Sequence, residues 1–251
     1  MANPVQEAAL GAGLLGRGLG LILRRPRLFL LGALPPLITS VLFVGVLVLL
    51  LAGLDPIVRA LTSFANGWDP GAASVARALV AVALVAGVVL LMVIAFTTLT
   101  LALGSPLYDK ISEAVEREFG DVPVLDEPVS RGVLRALRQA LALIAISAPV
   151  SALLFLAGFI PAVGQTVVPV VSAMFGGWML TIELVGAPFE RRGRLRLSER
   201  RSAMRRGRFR VLGFAVPTFL LMAVPFASVA VFPIATAGGT LLARQLLGER
   251  T

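Results

Sequence analysis

Residues 78–108 read ALVAVALVAGVVLLMVIAFTTLTLALGSPLY, 31 positions without an aspartate, glutamate, lysine or arginine. A helix crossing the hydrocarbon core of a bilayer needs about 20 apolar residues. This run is therefore one crossing with length to spare, tilted or protruding at its ends. Three more stretches, 28–54, 139–182 and 211–243, are equally free of charge. Four such runs in 251 residues predict an all-α integral membrane protein.

Composition agrees. Hydrophobic residues make up 57% of the chain and charged residues 15%, with a mean hydropathy of +0.91. A soluble protein carries about 25% charged residues, so this chain lacks the polar surface to cover itself in water. The net charge of +9 is almost entirely arginine, Lys110 being the single lysine. The arginines gather beside the apolar runs, a distribution that suits topology and lipid headgroups. No nucleic-acid-reading element accompanies them, so nucleic acid is not an expected partner. With no cysteine and no histidine, thiol and imidazole nucleophiles and the usual zinc ligands are excluded. No metal or cofactor is expected. The opening MANPVQEAAL has an acid at Glu7 and no basic region, so it does not read as a cleavable signal.

The runs divide unequally. The first, about 28–54, is one span; Pro35-Pro36 should interrupt it, because a proline inside a helix removes a hydrogen bond and clashes with the preceding turn. Its regular helix is expected from near Pro36, with 33–54 crossing the core. The second span covers about 78–104. The third run, 139–182, holds two crossings with a turn at Ile160-Pro161-Ala162-Val163-Gly164. The fourth, 211–243, is too short for two full crossings and too broken, at Pro217, Pro225 and Pro233, for one. A re-entrant hairpin fits it, and irregular backbone at membrane depth is tolerated only where protein buries it or it lines a wet cavity. The two hairpins echo each other. Pro161 and Pro169 are followed by Gly176-Gly177, and Pro225 and Pro233, at the same spacing, by Gly238-Gly239. Matched Gly/Pro-broken segments line substrate sites in transporters; in a proline-rich chain the spacing also arises by coincidence. Pro161, Gly164, Pro169, Pro225, Pro233, Gly238 and Gly239 are accordingly candidate pore or hairpin positions, with close helix packing as the competing role of the glycines. Trp68 and Trp178 read as interface anchors.

Orientation follows from the arginines. Residues 1–27 carry four, 109–138 carry four and Lys110, and 191–210 carry ten, whereas 55–77 carries two balanced by Asp55 and Asp69. The positive-inside rule places 55–77 outside and the basic loop 191–210, with both termini, in the cytoplasm. The chain then reads as a single multi-pass membrane domain over 1–251. Helical spans imply a bacterial inner membrane rather than an outer-membrane barrel. Gln6–Leu23, Asp109–Phe119 and Leu197–Phe209 have the look of amphipathic helices lying at the interface, the last of them basic and suited to anionic headgroups.

Several separated segments, in order, resemble the CysZ-type sulfate permeases, which share the etoposide-induced-protein domain. FIPAVGQTVVPVVSAMFGGWML at 159–180 resembles that family's third-run hairpin. APFERRGRLRLSERRSAMRRGRFRVLGFA at 187–215 is similar to its basic loop and returning helix, VPFASVAVFPIATAGGTLL at 224–242 to its last hairpin, and SPLYDKISEAVE at 105–116 to the piece after its second span. The resemblance implies two long transmembrane helices with hemi-penetrating hairpins, homo-oligomeric assembly, and uptake of sulfate for cysteine synthesis. It also implies an anion site where the first helix joins the first span, where the family carries Pro-Gly-Leu-Arg-Arg. Here that region reads Leu23-Arg24-Arg25-Pro26-Arg27-Leu28-Phe29, and alignment on Pro26 and Pro35 puts Phe29 and Leu30 where the family has its arginine pair.

Arg24, Arg25, Arg27 and Leu28 are thus the candidate substrate-binding residues. Guanidinium forks beside free amides at a helix start suit a tetrahedral dianion; as plain cytoplasmic anchors the same arginines need no ligand. Glu183, at the end of the third run, either pairs with an arginine across the bundle, carries a proton that couples transport, or sits at headgroup level bonded to Arg191 or Arg192. The leading functional expectation is an inner-membrane permease or channel for sulfate or a related oxyanion. The alternative is a non-transporting scaffold or accessory protein that binds anionic lipid or a partner through its arginine-rich loop. With no Walker motif, ATP is not expected to drive transport from within this chain. The missing histidine, cysteine and paired intramembrane aspartates argue against an enzyme.

Overall fold

The computed structural model describes the backbone of residues 3–120, 122–123, 129–224 and 227–251, and their side chains apart from 90, 93–103, 105–106, 129–130 and 133. Among the described residues it is all-helical, without strands. Ten α-helices follow in order: α1 Pro4–Arg24, α2 Pro26–Ala52, α3 Leu54–Leu61, α4 Pro70–Glu116, α5 Val129–Ala157, α6 Val163–Leu184, α7 Gly186–Arg191, α8 Leu197–Arg206, α9 Arg208–Met222 and α10 Ala227–Leu246. Five segments are long and apolar enough to cross a membrane: Pro26–Ala52, Pro70–Val89, Leu134–Ala157, Val163–Leu184 and Ala227–Leu246. At 15 residues, α9 rises about 22 Å, short of the roughly 30 Å hydrocarbon core. Apolar side chains such as Leu37, Val41, Val48, Leu49, Leu141, Leu153 and Phe155 point outward. On a soluble monomer so much exposed apolar surface would be a liability; in lipid it is the solvated face.

Three helix boundaries differ from expectation. The break near the first span falls at Arg25, and α2 runs uninterrupted through Pro35 and Pro36. Proline disfavours helical geometry in the residue before it and is well suited to the first helical position, so Pro26 both ends α1 and starts α2. Pro35 and Pro36 lack amide hydrogens, but Thr39 Oγ1 donates to the Pro35 carbonyl at 3.0 Å, and a membrane helix absorbs such a defect. Asp109–Phe119 is not a separate interfacial helix either. It continues α4 to Glu116 and closes in a 3₁₀ turn, Arg117–Phe119, because Ile111 and Val115 are buried in protein instead of headgroups. The basic segment ends at Arg206, and Phe209 belongs to α9 after Gly207.

The chain forms two compact units. Residues 33–106 make one. Its polar end is α3 and the turn after it, where Asp55 pairs with Arg59 at 2.8 Å, Asp69 accepts the Gly71 amide at 2.9 Å, and the exposed Trp68 ring meets Phe64 edge-on. Residues 1–32 and 107–251 make the other, and there α10 is the centre. Every residue from Ala235 to Arg244 is buried. α1 lies along α9 and α10, and α6 lies along α9. Close approach depends on small residues: a Cβ on Gly238 would press into Phe214 and the Leu14 backbone, and one on Gly18 into the α10 backbone at Ile234. Phe189, Phe214, Leu14, Ile182 and Met204 fill the remaining core, with Trp178 half-buried at its edge.

The α5–α6 connection is a tight turn. The Val163 amide donates to the Pro161 carbonyl at 2.9 Å across Ala162, whose φ of 65° and ψ of −46° make a strained γ-turn. One residue on, Gly164 lies against the Gly158 carbonyl so closely that any Cβ there would collide with it.

Candidate anion site and buried charge cluster

At the α1–α2 elbow, Arg25 caps α1 by donating its amide to the Ile22 carbonyl, and the Leu28 amide donates to the Arg25 carbonyl at 2.8 Å. The first turn of α2 therefore has one amide fewer to offer than a bare helix start. The side chains of Arg24, Arg25 and Arg27 are exposed, while Leu28 is buried in the core. Arg25 Nη2 lies 3.0 Å from Glu118 Oε1, which ties the elbow to the end of α4. Arg24 and Arg27 have no carboxylate partner among the described residues. Among the described residues, then, one of the three candidate arginines is already shared with a carboxylate.

A second set of charges, which the sequence reading did not single out, is buried. Glu116, the last residue of α4, is 1% exposed. Arg191 Nε donates to its Oε2 and Arg192 Nη1 to its Oε1 at 2.6 Å. Arg191 also reaches Ser112 Oγ, one turn back, and the Thr240 hydroxyl lies 2.9 Å from that same oxygen. Arg192 forks onto Glu249 and bonds the Pro188 carbonyl at 2.8 Å. Arg244 pairs with Glu249 at 3.2 Å, donates to the Arg250 carbonyl, and lies over the Phe119 ring at 5.1 Å. Three guanidiniums against two carboxylates leave the cluster net positive. A buried carboxylate is costly unless paired and hydrogen-bonded, and here both oxygens of Glu116 are. The Arg192 hydrogen bond holds the Glu249 carboxyl below the usual glutamate range, with burial opposing it and the Arg192 and Arg244 charges adding to it.

Neighbouring pairs extend the pattern. Glu190 takes Arg135 at 3.1 Å and the buried Arg200. Gln139 bonds the Leu195 carbonyl at 2.7 Å. Glu7 accepts both arms of Arg210, at 2.8 and 2.9 Å, and Arg210 also bonds Gln245. Arg191 and Arg192, the partners considered for Glu183 at headgroup level, are taken by Glu116 instead. Glu183 is exposed on the last turn of α6, with Arg200 and Glu190 as the charges that act on it.

The hairpin positions fall into two groups. Pro161 and Gly164 shape the α5–α6 turn, and Pro169 lies on an exposed face of α6. Beside them α5, α6 and Phe219 of α9 line an open, mainly apolar groove of 590 Å³, with Ser147, Ser151 and Ser172 among its walls. Pro233 is buried against Gly32, Gly238 against α1, and Gly239 against Leu184; these three sit inside the α10 packing. Pro225 lies outside the described residues. The signal that would have exposed the Glu116 cluster is present but faint: Ser112 and Glu116 each follow directly on Ile111 and Val115, so the polar pair shares a helix edge with the core pair.

Residues 14–233 match the family model described as sulfate transporter CysZ/etoposide-induced protein 2.4. The chain belongs to that family. Relatives named as the sulfate transporter CysZ include the protein of Pectobacterium atrosepticum, 29% identical over 150 residues, and those of Vibrio parahaemolyticus, at 28%, and Vibrio cholerae, at 26%. The match covers 59% of this chain in each case, 54% of the Pectobacterium protein and 60% of each Vibrio protein. The chain thus matches a little over half the length of these CysZ relatives. Family membership and five span-length apolar helices make it a multi-pass membrane protein.

Proposed function

We propose that this chain is a permease, either channel or carrier, for sulfate or a related oxyanion, importing it through a bacterial inner membrane for sulfur assimilation. The family match over 14–233, with relatives named as sulfate transporters, carries the reading. The α1–α2 elbow supports it physically: Arg24 and Arg27, without a carboxylate partner among the described residues, stand beside a helix start, with Arg25 held in reserve on Glu118. In this reading α2 and α4 are the two long spans, α5–α6 is a hairpin, and α9–α10 is re-entrant because α9 is too short to cross. The arginine-rich segments face the cytoplasm, and the functional unit is a homo-oligomer.

The test is radiolabelled sulfate uptake into proteoliposomes, with empty liposomes as the blank. A charge-assisted hydrogen bond contributes about 1.5 kcal/mol or more, roughly tenfold. Arg24→Gln with Arg27→Gln is therefore expected to cut uptake by about a hundredfold. Full uptake by that variant discards the elbow site; none by folded wild-type protein discards the permease. In the same assay Glu183→Gln is expected to flatten the pH dependence of uptake, and an unchanged profile removes Glu183 from coupling.

A further inference from the structure

Helix α8 sorts its arginines by face. Arg200 turns inward, 3% exposed, onto Glu190. On the other side Ser198, Arg201, Ser202, Arg205 and Arg206 line an open cup of 490 Å³. Ser198, Arg201, Ser202 and Arg205 recur at three- and four-residue spacing, so they form one stripe along the helix. Arg201, Arg205 and Arg206 have no carboxylate partner among the described residues. The one acid of α8, Glu199, is turned back to accept the Arg196 amide at 3.0 Å. Arg201 carries a further mark: its Nη2 is buried and makes no hydrogen bond. A buried guanidinium nitrogen without an acceptor is costly, and Arg201 and Arg205, one turn apart, repel each other unless an anion screens them.

We propose that this cup binds a phosphoryl oxyanion. Arginine forks match the oxygens of a tetrahedral phosphate, and the two serine hydroxyls add short donors on the same stripe. The group is presented either by an anionic phospholipid headgroup or as the free ion. The cup follows the candidate span α6 in the chain, on α8, with α7 between them. It is separate from the α1–α2 elbow and does not depend on what the protein transports.

The experiment uses the full-length protein in an uncharged maltoside detergent, titrated by calorimetry with dihexanoyl phosphatidylglycerol, dihexanoyl phosphatidylcholine and inorganic phosphate. An arginine near an anionic headgroup contributes about fivefold in affinity. The triple change Arg201→Gln, Arg205→Gln, Arg206→Gln is expected to weaken binding by about a hundredfold, and Arg205→Gln with Arg206→Gln by about 25-fold. The double variant keeps the partly buried Arg201, so it tests the site even if the triple variant folds poorly. Arg131→Gln with Arg138→Gln, which removes two exposed charges elsewhere, is expected to bind as wild type. Binding of phosphatidylglycerol without phosphate identifies the lipid as the source, and phosphate without the lipid the free ion; both together establish the shared chemistry. Absence of binding by either, equal binding of phosphatidylcholine, or equal losses in the Arg131/Arg138 control overturns the site.

Discussion

Glu116 is enclosed by two guanidiniums, and removing its charge while keeping its shape strips Arg191 of its carboxylate and leaves Arg192 with Glu249 alone. Breaking one partner out of a buried pair costs about 3–5 kcal/mol. Glu116→Gln is expected to fall in that range, read as a lowered thermal midpoint in detergent, with Glu116→Gln/Arg191→Gln regaining part of the loss. A single variant as stable as wild type would show the cluster to be dispensable. Glu249 gives a pH signature. Its folded carboxyl titrates below the unfolded one, so its contribution is present above about pH 4.3 and lost as pH falls through the lowered folded value. Midpoints measured between pH 6 and 3 should drop less steeply for Glu249→Gln than for wild type. Parallel curves would remove Glu249 as a source of the acid sensitivity. Neither residue could be assigned this role from the sequence alone. Arg191 lies 75 residues from Glu116 and Glu249 lies 57 from Arg192, and no local spacing rule links positions so far apart.

Elements were more legible, and the failures have a common cause. A run without charge is visible whatever surrounds it, so apolar helices and the turn near Pro161 could be expected from residue type, whereas their ends, such as Pro70 at the start of α4, could not. Proline misled at Pro35-Pro36 because its cost in a helix depends on whether the freed carbonyl finds a partner, and Thr39 provides one. Segments 109–119 and 197–209 were expected at the interface from an amphipathic pattern, which does not say whether the apolar face meets lipid or protein. In both cases it meets protein, at Ile111 and Val115 and at Ala203 and Met204. The α5–α6 turn makes a sharper statement. Ala162 occupies a positive-φ conformation that costs an L-residue roughly 1–3 kcal/mol, while glycine would lose about 0.5–1 kcal/mol through the unfolded chain. Ala162→Gly is expected to raise stability by up to about 2.5 kcal/mol, seen as a higher thermal midpoint. A lowered midpoint would mean that the turn is relaxed in the protein.

For the whole molecule, orientation rests on arginine asymmetry and is directly testable, because the absence of native cysteine makes single-cysteine labelling clean. A cysteine at Gly67 should react with a membrane-impermeant maleimide in intact cells, and one at Arg194 only after permeabilisation; the reverse pattern would invert the topology. The two tryptophans add a further possibility. Trp68 belongs to the unit of residues 33–106 and stands 52% exposed, whereas Trp178 belongs to the other unit and lies half-buried at the edge of its core. The chain contains no third indole. Each compact unit therefore carries its own built-in fluorophore, one red-shifted by water or headgroups and one blue-shifted by protein. Replacing either with phenylalanine leaves a reporter for the other, so unfolding, quenching by brominated lipid and any response to an added anion can be assigned to one unit at a time.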